Sequence, residues 1–325
     1  MKLKMYSFLL LFSALSFITI WQSSLFSWGF FGHKQINRMA VLTLPTELAV
    51  FYKKHIEYIT AHAVDADKRR YAIKEEAPRH YIDLDHYGTK DSIFEIMPKK
   101  WKDAVENYSE DTLQAYGIVP WHVNLVLMRL TKAFSDRDYD KILKLSADLG
   151  HYVGDSHVPL HTTENYNGQL TGQKGIHGFW ESRIPELYAS DYDYFVGRAR
   201  YVENPLEVIW QTVKESHLAI DSVLDFEREL TKTFPEDQKY SYETRGANAV
   251  RNYSREYTFE YSQMLDGMVE RRMRKAIITL GSFWYTAWIN AGKPNLNDVD
   301  FKETESDTED IISSDEVIKT RDHEH

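Results

Sequence analysis

Two pairs of potential metal ligands, each spaced by one helical turn, constrain this chain more than any other feature. The run Gly150-His151-Tyr152-Val153-Gly154-Asp155-Ser156-His157-Val158-Pro159-Leu160-His161 places His151 and Asp155 four residues apart. After a loop rich in Gly, Asn, Gln and Thr, His177-Gly178-Phe179-Trp180-Glu181 repeats that spacing with His177 and Glu181. On a helix, residues i and i+4 share a face. A metal ion can therefore take two ligands from one rigid element. His161 stands at the end of the first run as a fifth donor. His157 lies about 200° round the helix from Asp155 and reads as a hydrogen-bonding core histidine. His55, His62, His86, His122 and His217 lack ligand spacing.

Composition limits what could sit there. The chain has no cysteine, which excludes disulfides and thiolate metal sites. Any metal must be held by nitrogen and oxygen, a donor set that suits catalytic zinc better than structural zinc. The formal net charge of −10 argues against a broad basic surface for duplex nucleic acid. Most of that excess lies beyond Asn295, so the body is only mildly acidic.

Met1 to Ser27 reads as an export signal. It has a basic start at Lys2 and Lys4 and an apolar run from Tyr6 to Ile20, short for a span of about 20 residues. Cleavage after Ser27 leaves Trp28 at the N-terminus of an exported chain, secreted or periplasmic. The body then alternates helical periodicity with breaks. A pattern through Ile36, Met39 and Leu44 is followed by a restart at Pro45 and a helix from Leu48 to about Ala63. Trp121 to about Phe134 and Tyr139 to Asp155 are helical, and Pro159 ends the second. His177 to Leu187, Pro205 to Leu224, Asp225 to Thr233 and Tyr253 to Ala291 follow. No run shows convincing strand alternation. The expectation is an all-α fold: one multi-helix domain over residues 28–294, then a disordered acidic tail from 295 to 325.

The segment from Val64 to His86 is dense in charge and broken at Pro78, so it reads as loop with short helical pieces. Asp67 and His80 are candidate ligands there, in competition with Asp65 and Asp83. Arg69 and Arg70 are candidate anion-binding bases. No Ser or Cys nucleophile has a credible triad around it.

The order of several short motifs carries a resemblance. Trp28-Gly-x-x-Gly-His33, Ala66-Asp67-x-x-Arg70, His80-Tyr-Ile-Asp83, the His151 to His161 run and His177-x-x-Trp-Glu181 follow one another. This sequence resembles the trinuclear zinc phosphoesterases: the secreted single-strand-specific nucleases of the S-one/P-one group and the bacterial zinc-dependent phospholipases C. The resemblance implies one zinc on Asp67, His80, His151 and Asp155, and a second on His161, His177 and Glu181. A third would sit on His33, Asp155 and the α-amine and carbonyl of Trp28, with Asp155 shared. An α-amine with a pKa of about 8 binds zinc as the neutral amine, and only after the signal is removed. The resemblance further implies a metal-activated water attacking phosphorus in line, with Arg70 on the phosphate oxygens.

Within that family the substrate features point both ways. The short Trp28 to His33 gap and Trp180 match the nucleases. Glu181 as the last ligand and Asp83-Leu84-Asp85 match the phospholipases. The His80-Tyr81-Ile82-Asp83 segment matches the nuclease pattern in which Tyr81 stacks on a base and Asp83 bonds its edge. The balance favours single-stranded nucleic acid or nucleotides as substrate, with phospholipid head groups as the alternative. An inactive zinc-binding helical protein is a third reading. No obligate protein partner is evident.

Overall fold

Several helices begin where the sequence supplies a side-chain cap. The computed structural model describes residues 29–245 and 248–296; the expected signal, Trp28 and nearly all of the expected tail lie outside them. The first helices are α1 (Gly29–Val41), α2 (Thr46–Lys54), α3 (Ile56–Ala61) and the short α4 (Asp65–Arg69). A 3-10 segment at Lys74–His80 precedes α5 (Trp101–Tyr108), α6 (Glu110–Tyr116), α7 (Val119–Asp136) and α8 (Tyr139–Ser156). Later come α9 (Pro205–Leu218), α10 (Ile220–Thr233), the strands β1 (Tyr240–Arg245) and β2 (Asn248–Tyr253), then α11 (Arg255–Met264) and α12 (Met268–Asn290). Asp138 accepts the Lys141 amide at the start of α8, Asn204 the Glu207 amide at α9, and Ser254 the Tyr257 amide at α11. Each cap satisfies an amide that has no partner within its helix.

The architecture is all-α, as expected, with one exception. β1 and β2 form an antiparallel hairpin, pairing Tyr240 with Tyr253 and Tyr242 with Arg251. The sequence reading found no strand because these strands are short and polar. Tertiary ties hold them: the Tyr240 and Tyr253 rings lie 4.9 Å apart across the pair, and Arg183 binds Glu243 on β1 at 2.8 Å. Helix bounds shift as well. The helix expected over Tyr253 to Ala291 is interrupted where Asp266 and Gly267 both take positive φ, a conformation an α-helix cannot continue through. Of the segment expected as tail, residues 295 and 296 are described, and Leu296 is buried against the core; just before it, Trp288 donates to the Pro294 carbonyl at 3.0 Å.

Two apolar clusters organise the molecule. The larger joins α1, α2, α3, α7, α8, α9 and α12; at its centre Tyr52 stacks on Trp284 and hydrogen-bonds Ser146. The smaller is rich in aromatics and packs Phe179 against Tyr253, Tyr257 and Tyr261. In the larger cluster α1 lies directly on α8. A Cβ on Gly150 would sit 1.8 Å from the Asn37 side chain, whose amide already donates to the Ile59 and Ala147 carbonyls. The candidate site lies on the seam between the clusters. No helix among the described residues is long and apolar enough to cross a membrane.

Candidate metal centre

α8 projects two ligands from its last turns. His151 and Asp155 are both buried, and His151 Nε2 stands 3.4 Å from Asp155 Oδ2. α4 brings Asp67 to 3.4 Å from the same His151 nitrogen. His80, at the end of the 3-10 segment, places Nδ1 at 2.9 Å from Asp155 Oδ2 and 3.0 Å from His151 Nε2. Asp67, His80, His151 and one oxygen of Asp155 therefore face a common point. The other Asp155 oxygen, Oδ1, faces His33 Nε2 on α1 at 3.3 Å. Each carboxylate oxygen thus looks into a different donor group.

The third group belongs to the other side of the seam. His161 sits in a 3-10 turn at Pro159–Thr162 and His177 in a single turn at Ile176–Gly178. Glu181 lies in a π-wound turn at Phe179–Arg183. Its Oε2 is 2.7 Å from His177 Nε2 and 3.5 Å from His161 Nε2. Such π turns recur at functional sites because they re-aim side chains. Among the described residues, His33 with His151 and Asp155, Asp67 with His80 and His151, and His161 with His177 and Glu181 are the sets whose donor atoms converge.

The backbone fixes which ring nitrogen faces inward. His151 Nδ1 pairs with the Ala63 carbonyl at 2.9 Å, His161 Nδ1 with that of His80 at 2.6 Å, and His177 Nδ1 with that of Tyr166 at 3.2 Å. A carbonyl can only accept, so in each neutral imidazole Nδ1 carries the hydrogen and Nε2 turns its lone pair to the centre, where a bound cation would take the place of the proton. Gly154 permits the approach of His33, since a Cβ there would lie 2.8 Å from His33 Nδ1.

The electrostatics ask for cations. Burial alone would raise the Asp155 carboxyl, but His151 and His161, with hydrogen bonds from His33 and His80, hold it well below the usual range. Burial is likewise outweighed at Glu181 by His177 and His161. Burial pulls the His151 imidazole down, and the Asp155 and Asp67 carboxylates push it up to about 10. A nitrogen–oxygen pocket that holds positive charge this firmly fits a divalent ion. The buried Glu181 Oε2 fits too: it makes no hydrogen bond among the described residues despite lying beside His177.

Other expectations separate here. Arg70 reaches the rim, 3.9 Å from Asp67 Oδ1. Arg69 turns away to Glu76, Asp148 and Tyr152. Asp65 binds His62 and Lys68 at the surface. His157 bonds the Val153 carbonyl at 2.7 Å and is kept neutral, its pKa lowered to about 3 by burial and Arg272.

Tyr81 corrects the sequence reading. Its ring is fully buried, so it offers no face to a base. Gly117 closes over it at φ 91°, where a Cβ would meet the Tyr81 carbonyl at 2.2 Å. Asp83 is buried as well and stands outside the donor groups. After burial itself, its charge helps to raise the Tyr87 phenol.

One buried acid next to the donor groups escaped the sequence reading. Glu76 is fully buried beneath His80, with Oε1 3.7 Å from His80 Nε2. Arg69, Arg79 and the Tyr152 hydroxyl hold it. Its signal was the i,i+4 spacing to His80, hidden because Pro78 lies between them and no helix was expected.

The sequence matches the family model of the S1/P1 Nuclease over residues 28–290. No curated protein matches the chain. Spanning most of the sequence, that match shows that the chain belongs to the S1/P1 nuclease family, a family of nuclease-type phosphodiesterases.

Proposed function

We propose that the protein is an exported zinc-dependent phosphodiesterase that cleaves single-stranded nucleic acid. Asp67, His80, His151 and Asp155 would hold one zinc, and His161, His177 and Glu181 a second. His33 and the free Oδ1 side of Asp155 would hold a third, completed by the α-amine and carbonyl of Trp28. The observation that carries this reading is the split of Asp155, one oxygen toward His80 and His151 and the other toward His33. Zinc bound there lowers the pKa of water toward neutrality and neutralises charge on a phosphate ester.

The chain's own groups supply the rest. The carbonyls of Ala63, His80 and Tyr166 hold three imidazoles in one tautomer, so no reorganisation is needed as the reaction proceeds. Asp155 and Glu181 cancel part of the excess positive charge of the ions. Arg70, beside Asp67, would take the non-bridging oxygens of the scissile phosphate in a planar, two-pronged contact.

Nucleic acid is favoured over lipid by the family match. The deciding experiment is a parallel assay of purified, signal-free protein on single-stranded DNA, RNA, a 3′-nucleotide and phosphatidylcholine vesicles. Cleavage of the polynucleotides is expected, and cleavage of lipid alone would overturn the proposal. Protein carrying extra residues ahead of Trp28 should lose most of its activity, because its α-amine is then an amide. Full activity in that form would remove Trp28 from the site.

A further inference from the structure

We propose that the exposed outer half of the β1–β2 hairpin, around Tyr242 and Arg251, is a docking track that holds a single strand outside the metal-donor groups. This inference rests on the nucleic-acid reading above. It starts from the hairpin register. Tyr240, Tyr242 and Thr244 on β1 share a face with their partners Tyr253, Arg251 and Ala249 on β2.

That face runs from the smaller aromatic cluster, behind the turn that carries Glu181, to the exposed end of the hairpin. At its base Tyr253 is buried and stacks on Phe179 with ring centroids 3.8 Å apart. Phe179 lies two residues from both His177 and Glu181. Arg183, at the end of the same π turn, donates to the Tyr253 carbonyl at 3.0 Å and binds Glu243. The hairpin is therefore fastened to the element that carries Glu181.

Farther out the face is open and built from aromatic and cationic groups. Tyr242 is 76% exposed. Arg251, directly opposite, is exposed and lays its guanidinium over the Tyr240 ring at 3.7 Å. Such stacking holds the guanidinium plane in place with its N–H edge free for an anion. Among the described residues Arg251 has no carboxylate partner.

The local charge runs against the rest of the molecule. The chain carries −10 overall, yet 239–255 holds Lys239, Arg245, Arg251 and Arg255 against the single acid Glu243, and of these bases Lys239 is paired with Glu227. Glu243 is neutralised by Arg183. An exposed tyrosine beside a pre-oriented arginine matches the two needs of a single strand: a platform for a base and a cation for the phosphate next to it. A polyanion with exposed bases is the partner this chemistry selects. The sequence reading missed it because the hairpin itself was not expected.

The test uses zinc-loaded, signal-free protein and a double variant, Tyr242→Ala with Arg251→Ala. Both positions are solvent-exposed, so the variant should fold. Binding of a labelled, hydrolysis-resistant phosphorothioate 20-mer of thymidine is read by fluorescence anisotropy. Turnover of a dinucleotide, which has a single phosphodiester and no strand left over to hold, is read in parallel. The double variant should bind the 20-mer about ten-fold more weakly. Its log–log salt slope should be shallower by about 0.7, one phosphate contact on a single strand. Dinucleotide turnover should not change, and Tyr242→Phe should bind like the parent. Unchanged 20-mer affinity would overturn the proposal. So would an equal loss on the dinucleotide, or a loss confined to binding of vesicles containing anionic phospholipid. Failure of the parent protein to cleave any nucleic acid would sink the nuclease reading instead, while the binding measurement would still decide the track.

Discussion

The two sides of the metal centre are built by different means. On the α8 side, ligands sit on long regular elements: His151 and Asp155 on an 18-residue helix and His33 on α1. Charge supports them from behind, since Glu76, Arg69, Arg79 and Tyr152 form a buried network under His80 and His151. On the other side, His161, His177 and Glu181 ride on a 3-10 turn, a single helical turn and a π turn. Their support is backbone carbonyls and the aromatic stack of Phe179, Tyr253 and Tyr257. The contrast teaches that one kind of donor set can be positioned by rigid helices with a charged backing, or by irregular turns pinned to an aromatic core.

The largest effect should come from the residue shared by the two donor groups of the α8 side. Asp155→Ala removes a ligand common to two groups and should abolish turnover. Metal analysis should show loss of two ions, where removal of an outer hydrogen-bond partner costs only about 10–100-fold in affinity. A variant that retains activity would show that Asp155 does not bridge. Glu181→Ala comes next. It should empty the turn-borne group alone, leaving the zinc content of the α8 side intact while turnover falls by more than about 100-fold. Loss of all metal together would mean that the sides do not act separately.

The smallest effect tests the charged backing. Glu76→Leu should weaken zinc on the His80 side by about 10–100-fold, read by chelator competition. Glu76→Gln, which keeps an acceptor near His80 Nε2, should recover most of that loss. Equal affinities in Leu and parent protein would confine Glu76 to a packing role.

How much of this was legible in sequence follows the same division. The α8 ligands were visible because His151 and Asp155 obey the 3.6-residue period of a regular helix. His177 and Glu181 showed the same spacing, but the π winding that lets them meet His161 leaves no periodic mark. Asp67 and His80 could not be separated from Asp65 and Asp83 by spacing alone; the fold separates them, sending Asp65 to His62 and Lys68. Arg69 and Arg70 were likewise equivalent in sequence, and α4 turns one to Glu76 and the other to Asp67. Tyr81 was misread because burial depends on Gly117, 36 residues away in the chain. The hairpin was missed because its strands are polar and part of what holds them, Arg183 and Phe179, lies about 60 residues away in the chain.

The most direct test of the account is anomalous diffraction at the zinc absorption edge, from crystals of signal-free protein loaded with zinc. The account predicts three peaks, with the two oxygens of Asp155 pointing at different ones and the third peak between His161, His177 and Glu181. One isolated peak, or peaks away from these donors, would contradict it.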